Sequence, residues 1–590
     1  MNRQEDHRCA IGMQRRNTSG APHHQPLHAM QHESVLGLSA DWSPLVGHAI
    51  GCKAAHPSAQ QGCSEYLILI TDHTAIKRQF VIRLSFSVIC FFVTEMLLLS
   101  QHAVAAEWLI TPSLNLKETY SDNVRLAPRG SERSDWITQI DPGISLTGTG
   151  SDLKVNANYQ MQNYLYAKDS KAHSRNHLLN ADANAKLVDE LLFLDGKAAI
   201  SQQNISLFGP QAADNTNITG NRASVATYSI SPYLRHRFGA IASSELRYTH
   251  DEVWTHVGGL SNSKGDGTLF NLNSGPAFSR LGWGLHYNKQ KTGYSNNPSA
   301  DTETLSGDLR FPITPKFSLT ATKGYEKNNY LSIGEKPEGH FWTAGLSWTP
   351  TARTSIEAST GHRFFGKTHS LAASHRSRNT VWSLNYSEDI TTTSSLFLIP
   401  ATINTATFLN NLFAASIPDP ILRQQYVDFF ISSNGLPASL SNPTNYFSNR
   451  FFLQKRLQAS VALNSAKSTL ILSAFDTLSE AQTAQAMDSR LFGTSNLALN
   501  DNIKQIGGNA QWNWRYSPHT NINVSAGYSK SRSISTGITG NNSMMGLGMT
   551  RQLRPKLNGS LDLRRTKQHS NQIGGSYQEN AITASLSMQF

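Results

Sequence analysis

Apolar and polar residues alternate along much of this chain with the two-residue period of a strand, not the 3.6-residue period of a helix. Leu153, Val155, Ala157, Tyr159 and Met161 fall on one side of such a strand, with Lys154, Asn156, Asn158 and Gln160 on the other. Dyads recur at Leu457, Ala459, Val461 and Leu463, and at Ile522, Val524, Ala526 and Tyr528. They return at Leu557, Gly559, Leu561 and Leu563, where Arg564 belongs to the polar set. Leu470-Ile471-Leu472 is a continuous apolar run and less diagnostic. Nine alternating residues match what a tilted strand needs to cross hydrocarbon. The final residues repeat the pattern, with Ile582, Ala584, Leu586, Met588 and Phe590 on one face. An unprotected apolar edge invites aggregation in a soluble sandwich, whereas a closed barrel pairs its last strand with its first.

Turn residues divide the chain at regular intervals. Thr314-Pro315-Lys316, Thr349-Pro350-Thr351, Ser517-Pro518-His519, Arg554-Pro555-Lys556 and Phe238-Gly239-Ala240 read as short turns. The polar stretches 121–134, 204–222 and 292–303 read as longer loops. Alternation of short turns with long loops is the asymmetry of an outer-membrane barrel. The expected fold is therefore an all-β, large antiparallel transmembrane outer-membrane β-barrel of about 22 strands, within a range of 18–24. Aromatics at Tyr159, Tyr164 and Tyr166, at Trp342 and Trp348, and at Trp512, Trp514 and Tyr516 are expected to form interfacial girdles. Residues 399–447 break the pattern, with apolar residues at helical spacing around Ile421, Tyr426, Phe429 and Phe430. This long loop could cap the barrel, enter the lumen or bind a partner, and capping is the simplest of the three.

The N-terminal part has a different texture. Lys77, Arg78 and Arg83 precede an apolar run over 84–99, followed by small residues that place cleavage at Ala105 or Ala106. That is the layout of a secretory signal peptide, and the run is shorter than a spanning helix needs. Residues 77–106 are thus an expected signal and 107–590 the exported barrel. Residues 1–76 are an expected non-native or disordered extension, with the true translation start near 76–81. All four cysteines (Cys9, Cys52, Cys63 and Cys90) precede the cleavage site, so the exported part can form neither disulfides nor thiolate metal sites. Residues 107–590 are long enough for several soluble domains, but no Pro-rich or Gly/Ser-rich linker divides them.

Charge changes the picture only slightly. Residues 1–105 hold eight Lys and Arg and seven Asp and Glu, leaving 44 and 34 of the chain's 52 and 41, a net of +10. A basic surplus favours acidic partners such as lipopolysaccharide phosphates or an acidic exopolysaccharide, and export excludes nucleic acid. No G-x-S-x-G, H-E-x-x-H or phosphate-loop pattern is present, so no catalytic, cofactor or metal residue is expected and the protein reads as non-enzymatic. His173 and His177 would adjoin on a helix, but their surroundings read as a loop. The best candidates for function are the lumen-lining Lys154, Asn156, Asn158, Gln160 and Arg564, which would set the selectivity of a porin-like interior.

Several phrases carry a family resemblance. They are Tyr120-Ser121-Asp122-Asn123-Val124, Ser201-Gln202-Gln203-Asn204-Ile205-Ser206 leading to Phe208-Gly209-Pro210-Gln211, and Tyr233-Leu234-Arg235-His236-Arg237-Phe238-Gly239. Glu326-Lys327-Asn328-Asn329-Tyr330, Asn449-Arg450-Phe451-Phe452-Leu453-Gln454-Lys455-Arg456 and Ala584-Ser585-Leu586-Ser587-Met588-Gln589-Phe590 add to them. The chain resembles the outer-membrane proteins associated with the PEP-CTERM/exosortase system of Gram-negative bacteria, linked to exopolysaccharide loci. Its ending resembles the terminal assembly signal of outer-membrane barrels, with Leu586, Met588 and Phe590 as the recognised residues. The resemblance implies an outer-membrane location, a barrel, and a part in surface polysaccharide or in display of sorted proteins; the expected partners are outer-membrane lipid and lipopolysaccharide and the barrel assembly machinery. It also implies a pore or scaffold in exopolysaccharide export or assembly. Alternatives are an outer-membrane hydrolase or glycan-modifying enzyme, and a surface adhesin or receptor working through its long loops.

Overall fold

The computed structural model describes residues 107–590, apart from 258–259, 296, 335, 399–404, 415–416, 418–422, 424–426, 428–444, 486–487, 489–497 and 573. The expected extension 1–76, the signal 77–106 with Ala105 and Ala106, and much of 399–447 lie outside the described residues. Twenty-two strands, from β1 (Glu107–Ser121) to β22 (Tyr577–Gln589), form one antiparallel sheet in chain order, and β22 pairs with β1 to close it. Across that seam Leu116 stands opposite Leu586, and Leu114 opposite Met588. Closure leaves no unpaired edge, the condition for a sheet to sit in hydrocarbon.

Alternation decides which face each side chain takes. Leu116, Ile140, Leu309, Leu319, Leu547 and Leu563 all point outward and are exposed. A continuous apolar ring of this kind could not face water in a soluble protein, and it matches the lipid-facing band of an outer-membrane barrel. Trp136, Trp254, Trp342 and Tyr528 stand outward toward the loop end, with Trp108, Trp348, Trp382 and Tyr516 toward the other. The chain is an outer-membrane protein. Tyr164 and Tyr166 do not join the girdle. They sit at even positions of β3 (Leu153–Tyr166), which face the lumen, and both are buried there.

The connections sort by length. Turns such as 150–152, 239–241, 315–316 and 555–556 close one end, where β1 also begins and β22 ends. Gly239 there adopts φ +54°, a left-handed conformation that suits glycine. The long connections 122–134, 205–221, 393–450 and 482–501 all lie at the other end. Two expectations are corrected. Residues 292–303 are mostly strand, since β9 (Gly282–Tyr294) and β10 (Ala300–Thr314) leave only 295–299 between them. Pro350 lies inside β12 (Glu338–Thr351), and the turn falls at 352–353 after a register shift between Trp348 and Thr351. A proline has no N–H for the ladder, so it is tolerated where pairing is already irregular.

Candidate functional site

The lumen carries the polar chemistry. Lys154, Asn156, Asn158 and Gln160 occupy the inward positions of β3. Asn158 accepts from the Ser145 hydroxyl, Asn156 lies opposite Asp182, and Gln160 accepts weakly from the Gln162 amide at 3.4 Å. Lys154 is exposed and makes no ion pair among the described residues. The contacts that these residues make are local, along β3 or across to its neighbours. Arg564, also inward-facing, belongs to something larger.

Arg564 stands on β21 (Leu557–Ser570) and binds two carboxylates. One is Asp214, and the other is Glu579 on β22, both of whose oxygens lie 3.2 Å away. Asp214 belongs to 205–221, the connection between β5 (Leu192–Asn204) and β6 (Arg222–Phe238), which is therefore folded into the barrel. Further bonds fix it there. The Asn217 amide donates to Glu579 at 2.6 Å, and the Gln211 N–H donates to Gln568 at 3.1 Å. The Tyr577 and Tyr166 hydroxyls donate to the carbonyls of Gln211 and Thr216, at 2.5 and 3.0 Å. Arg222 donates to the Asp214 carbonyl and to the Asn215 side chain. Glu579 has no solvent exposure, so its charge is tolerable only because Arg564, Asn217 and Ser121 satisfy it.

Local rules explain the shape of this strap. Asp214 accepts from the Thr216 N–H at 2.9 Å, the side-chain-to-backbone bond of an Asx turn. Asn221 clamps the base by bonding both the N–H and the carbonyl of Ser206. Gly209 lets the chain pass closely, because a Cβ there would come within 2.7 Å of the Asn221 side chain. Burial alone would push the Asp214 carboxyl up, but the Arg564 guanidinium and the two Thr216 donors more than offset it and hold it at about 2. Its side chain keeps 43% of its surface open to the lumen.

Apolar contacts continue the closure. Leu207 and Phe208 of the strap pack against Tyr446, Phe452, Leu499 and Ile503, and the Phe447 N–H donates to the Ile205 carbonyl at 3.2 Å. After β15 (Thr380–Thr392), helix α1 (Thr393–Leu398) brings Phe397 onto Phe447 and toward Val225 and Val253 of β6 and β7 (Ala242–Thr255). Helix α2 (Thr405–Phe413) then buries Phe408, Leu409, Leu412 and Phe413 against Val381, Ala462 and Ile471. Those three face the lumen near the short-turn ends of β15, β16 (Phe451–Asn464) and β17 (Ser468–Ala481). Capping is therefore not what the described part of this segment does. It runs down inside the barrel, because its apolar face meets lumen-facing Val, Ala and Ile. At the rim, buried Arg450 bonds Asp501 at 2.5 Å and the Thr483 carbonyl, fastening the segment to 482–501.

The wall from β10 to β15 is different. It presents Thr320, Thr343, Ser359, Ser370, Asn385 and Glu357 to an open recess of about 460 Å³. His173 and His177 do not form a helical pair. His173 lies in a loop and accepts from the Tyr166 N–H, whereas His177 faces outward on β4 (Ser174–Val188) beside the Tyr159 hydroxyl, 2.7 Å away. Among the described residues no group of three or more His, Cys, Asp or Glu is placed to hold a metal.

No family model matches the chain, and no curated protein does. Its barrel is similar to solved siderophore receptors. Against PiuA from Acinetobacter baumannii the identity is 10%, covering 81% of this chain and 82% of that one, with a TM-score of 0.42. For PirA from Pseudomonas aeruginosa the figures are 10%, 82%, 80% and 0.39. For the ferric enterobactin receptor PfeA from Pseudomonas aeruginosa with BCV-L6 they are 12%, 81%, 81% and 0.40. The likeness is one of barrel architecture. The expected pore or scaffold in exopolysaccharide export is corrected here: the strap 205–221 and helix α2 lie inside the lumen, so the described residues do not form a free porin-like channel.

Proposed function

We propose that this barrel is a gated, non-enzymatic receptor and transporter that takes a polar solute at its loop end. The solute passes along the hydroxyl-lined wall of β10 to β15 when the internal segments move aside. One observation carries the reading: the strap 205–221 is held in the lumen by Arg564 through Asp214, beside Glu579. A segment tied by a few charge-assisted bonds to the wall, and exposed in part to lumen water, is suited to being held or released. The Ser and Thr lining of the open recess favours a hydrated solute over an apolar one.

Planar-bilayer recording on the purified full-length barrel tests this. The wild type is expected to show little steady conductance, and Arg564→Ala to open it. Steady, large conductance by the wild type would overturn the gate.

A further inference from the structure

On the outer wall, independently of the gate, we infer a binding site for the phosphate groups of lipopolysaccharide, built from Lys530, Arg532, Arg565 and Lys567. All four are exposed, face outward and lie on β19 (Thr520–Ser533) and β21. The ladder spreads them over four successive outward levels, Arg565, Lys567, Lys530 and Arg532 from the apolar belt toward the loops, about 20 Å from first to last. Lys530 stands opposite Asn541 of β20 (Thr539–Arg554), Asn541 opposite His569, and Lys567 opposite Ser543, which pairs in turn with Tyr528. Arg565 lies one outward position beyond Leu563, and Leu563 belongs to the lipid-facing band. The cations therefore begin where the apolar belt ends, on the side of the long loops. That level meets the head groups of the outer leaflet, and exposed Tyr528 adds an amphipathic ring beside them.

None of the four makes an ion pair among the described residues. Two carboxylates lie two strands away along the ladder, Asp476 from Lys530 and Asp122 from Arg565. Asp476 holds Lys504 at 2.7 Å, and Asp122 accepts from the N–H and side chain of Asn580. The outward face of β7 and β8 (Ser263–Ser274) is a contrast at a similar level. There Lys264 binds Glu252 at 2.7 Å, so its charge is cancelled within the protein, and His250 bonds Asp266 at 2.9 Å. Four uncancelled cations within three strands, two of them arginines with forked donors, complement a di-anionic phosphate better than a neutral or zwitterionic head group.

The experiment uses full-length protein in detergent. Wild type is expected to retain added lipopolysaccharide through washing, and the combined variant Lys530→Ser, Arg532→Ser, Arg565→Ser, Lys567→Ser to retain at least tenfold less while keeping its heat-modifiable gel shift. Lys264→Ser should retain the wild-type amount. A second measurement needs no variant: wild type is offered lipid A, dephosphorylated lipid A, or phosphatidylglycerol vesicles, and should hold only the first tightly. Equal retention by the combined variant, or equal binding of dephosphorylated lipid A, would overturn the site. Equal binding of phosphatidylglycerol would also overturn it, in favour of general attraction to anionic lipid.

Discussion

Two sectors of one lumen, built by the same sheet and the same alternation, behave in opposite ways. Around β21, β22, β1 and β3 the inward face carries Arg564, Glu579, Gln568 and Gln162, and the strap 205–221 lies against it. From β10 to β15 the inward face around the recess is mostly small hydroxyls, with Arg310, Glu357 and Asn385 among them, and it encloses open space. A wall of long, charged or amide side chains can recruit a chain segment by matching its donors and acceptors. Short Ser and Thr side chains satisfy one another across strands, as Ser359 and Ser370 do at 2.6 Å, and leave the water in place. Where the strap lies is thus set by the side chains on the wall it meets, not by the sheet itself.

The strongest way to break this contrast is Arg564→Ala. It leaves Glu579 buried without its cation, a loss on the order of 3–5 kcal/mol for a buried pair broken on one side. The strap should detach, seen as new protease cleavage within 205–221 together with raised conductance. Next is Leu409→Ala on α2, fully buried against the lumen wall. A cavity of that kind costs about 2–5 kcal/mol, and the described helix should become cleavable while the barrel keeps its heat-modifiable shift. Acid should loosen the closed sector through Asp214. Because the Asp214 carboxyl is held at about 2, below the ordinary carboxylate value of about 4, its stabilisation is full above that ordinary value. It is lost as pH falls through about 2. Conductance should rise across that acid window in the wild type, stay unchanged between pH 5 and 8, and lose this acid step in Asp214→Asn. The smallest stability effect belongs to the open sector. Ser359→Trp removes one exposed hydrogen bond, worth about 1 kcal/mol, and should barely move the melting temperature while obstructing solute passage through an opened barrel. If it destabilised as much as Arg564→Ala, the two sectors would not differ as described.

The barrel was legible in the sequence because alternation is local: one residue of slip would exchange every face, so dyads such as 153–161 and 582–590 fix inside and outside on their own. Loop asymmetry was legible for the same reason, through Gly and Pro. The tie between Asp214 and Arg564 was not, since 350 positions separate them and neither residue stands in a motif. An Asp-Asn-Thr-Asn run at 214–217 signals a turn but not its direction. Arg450 and Glu326 lay within phrases singled out for resemblance, yet nothing local announces that Arg450 meets Asp501 or that Glu326 meets Arg363 at 2.7 Å. Aromatic content misled at Tyr164 and Tyr166, where parity along β3, not residue type, decides the side.

The seam between the first and last strands bears on timing. Ser121 of β1 donates to Glu579 of β22 at 2.7 Å across 458 positions, and Glu579 in turn shares Arg564 with Asp214. The carboxylate that anchors the strap is therefore completed only when the two ends of the sheet meet. A barrel caught half-zipped in the membrane would lack the Ser121 bond, so one of the three partners of the buried Glu579 carboxylate arrives last. The bond that shuts the ring is thus also the last to reach the strap's anchor.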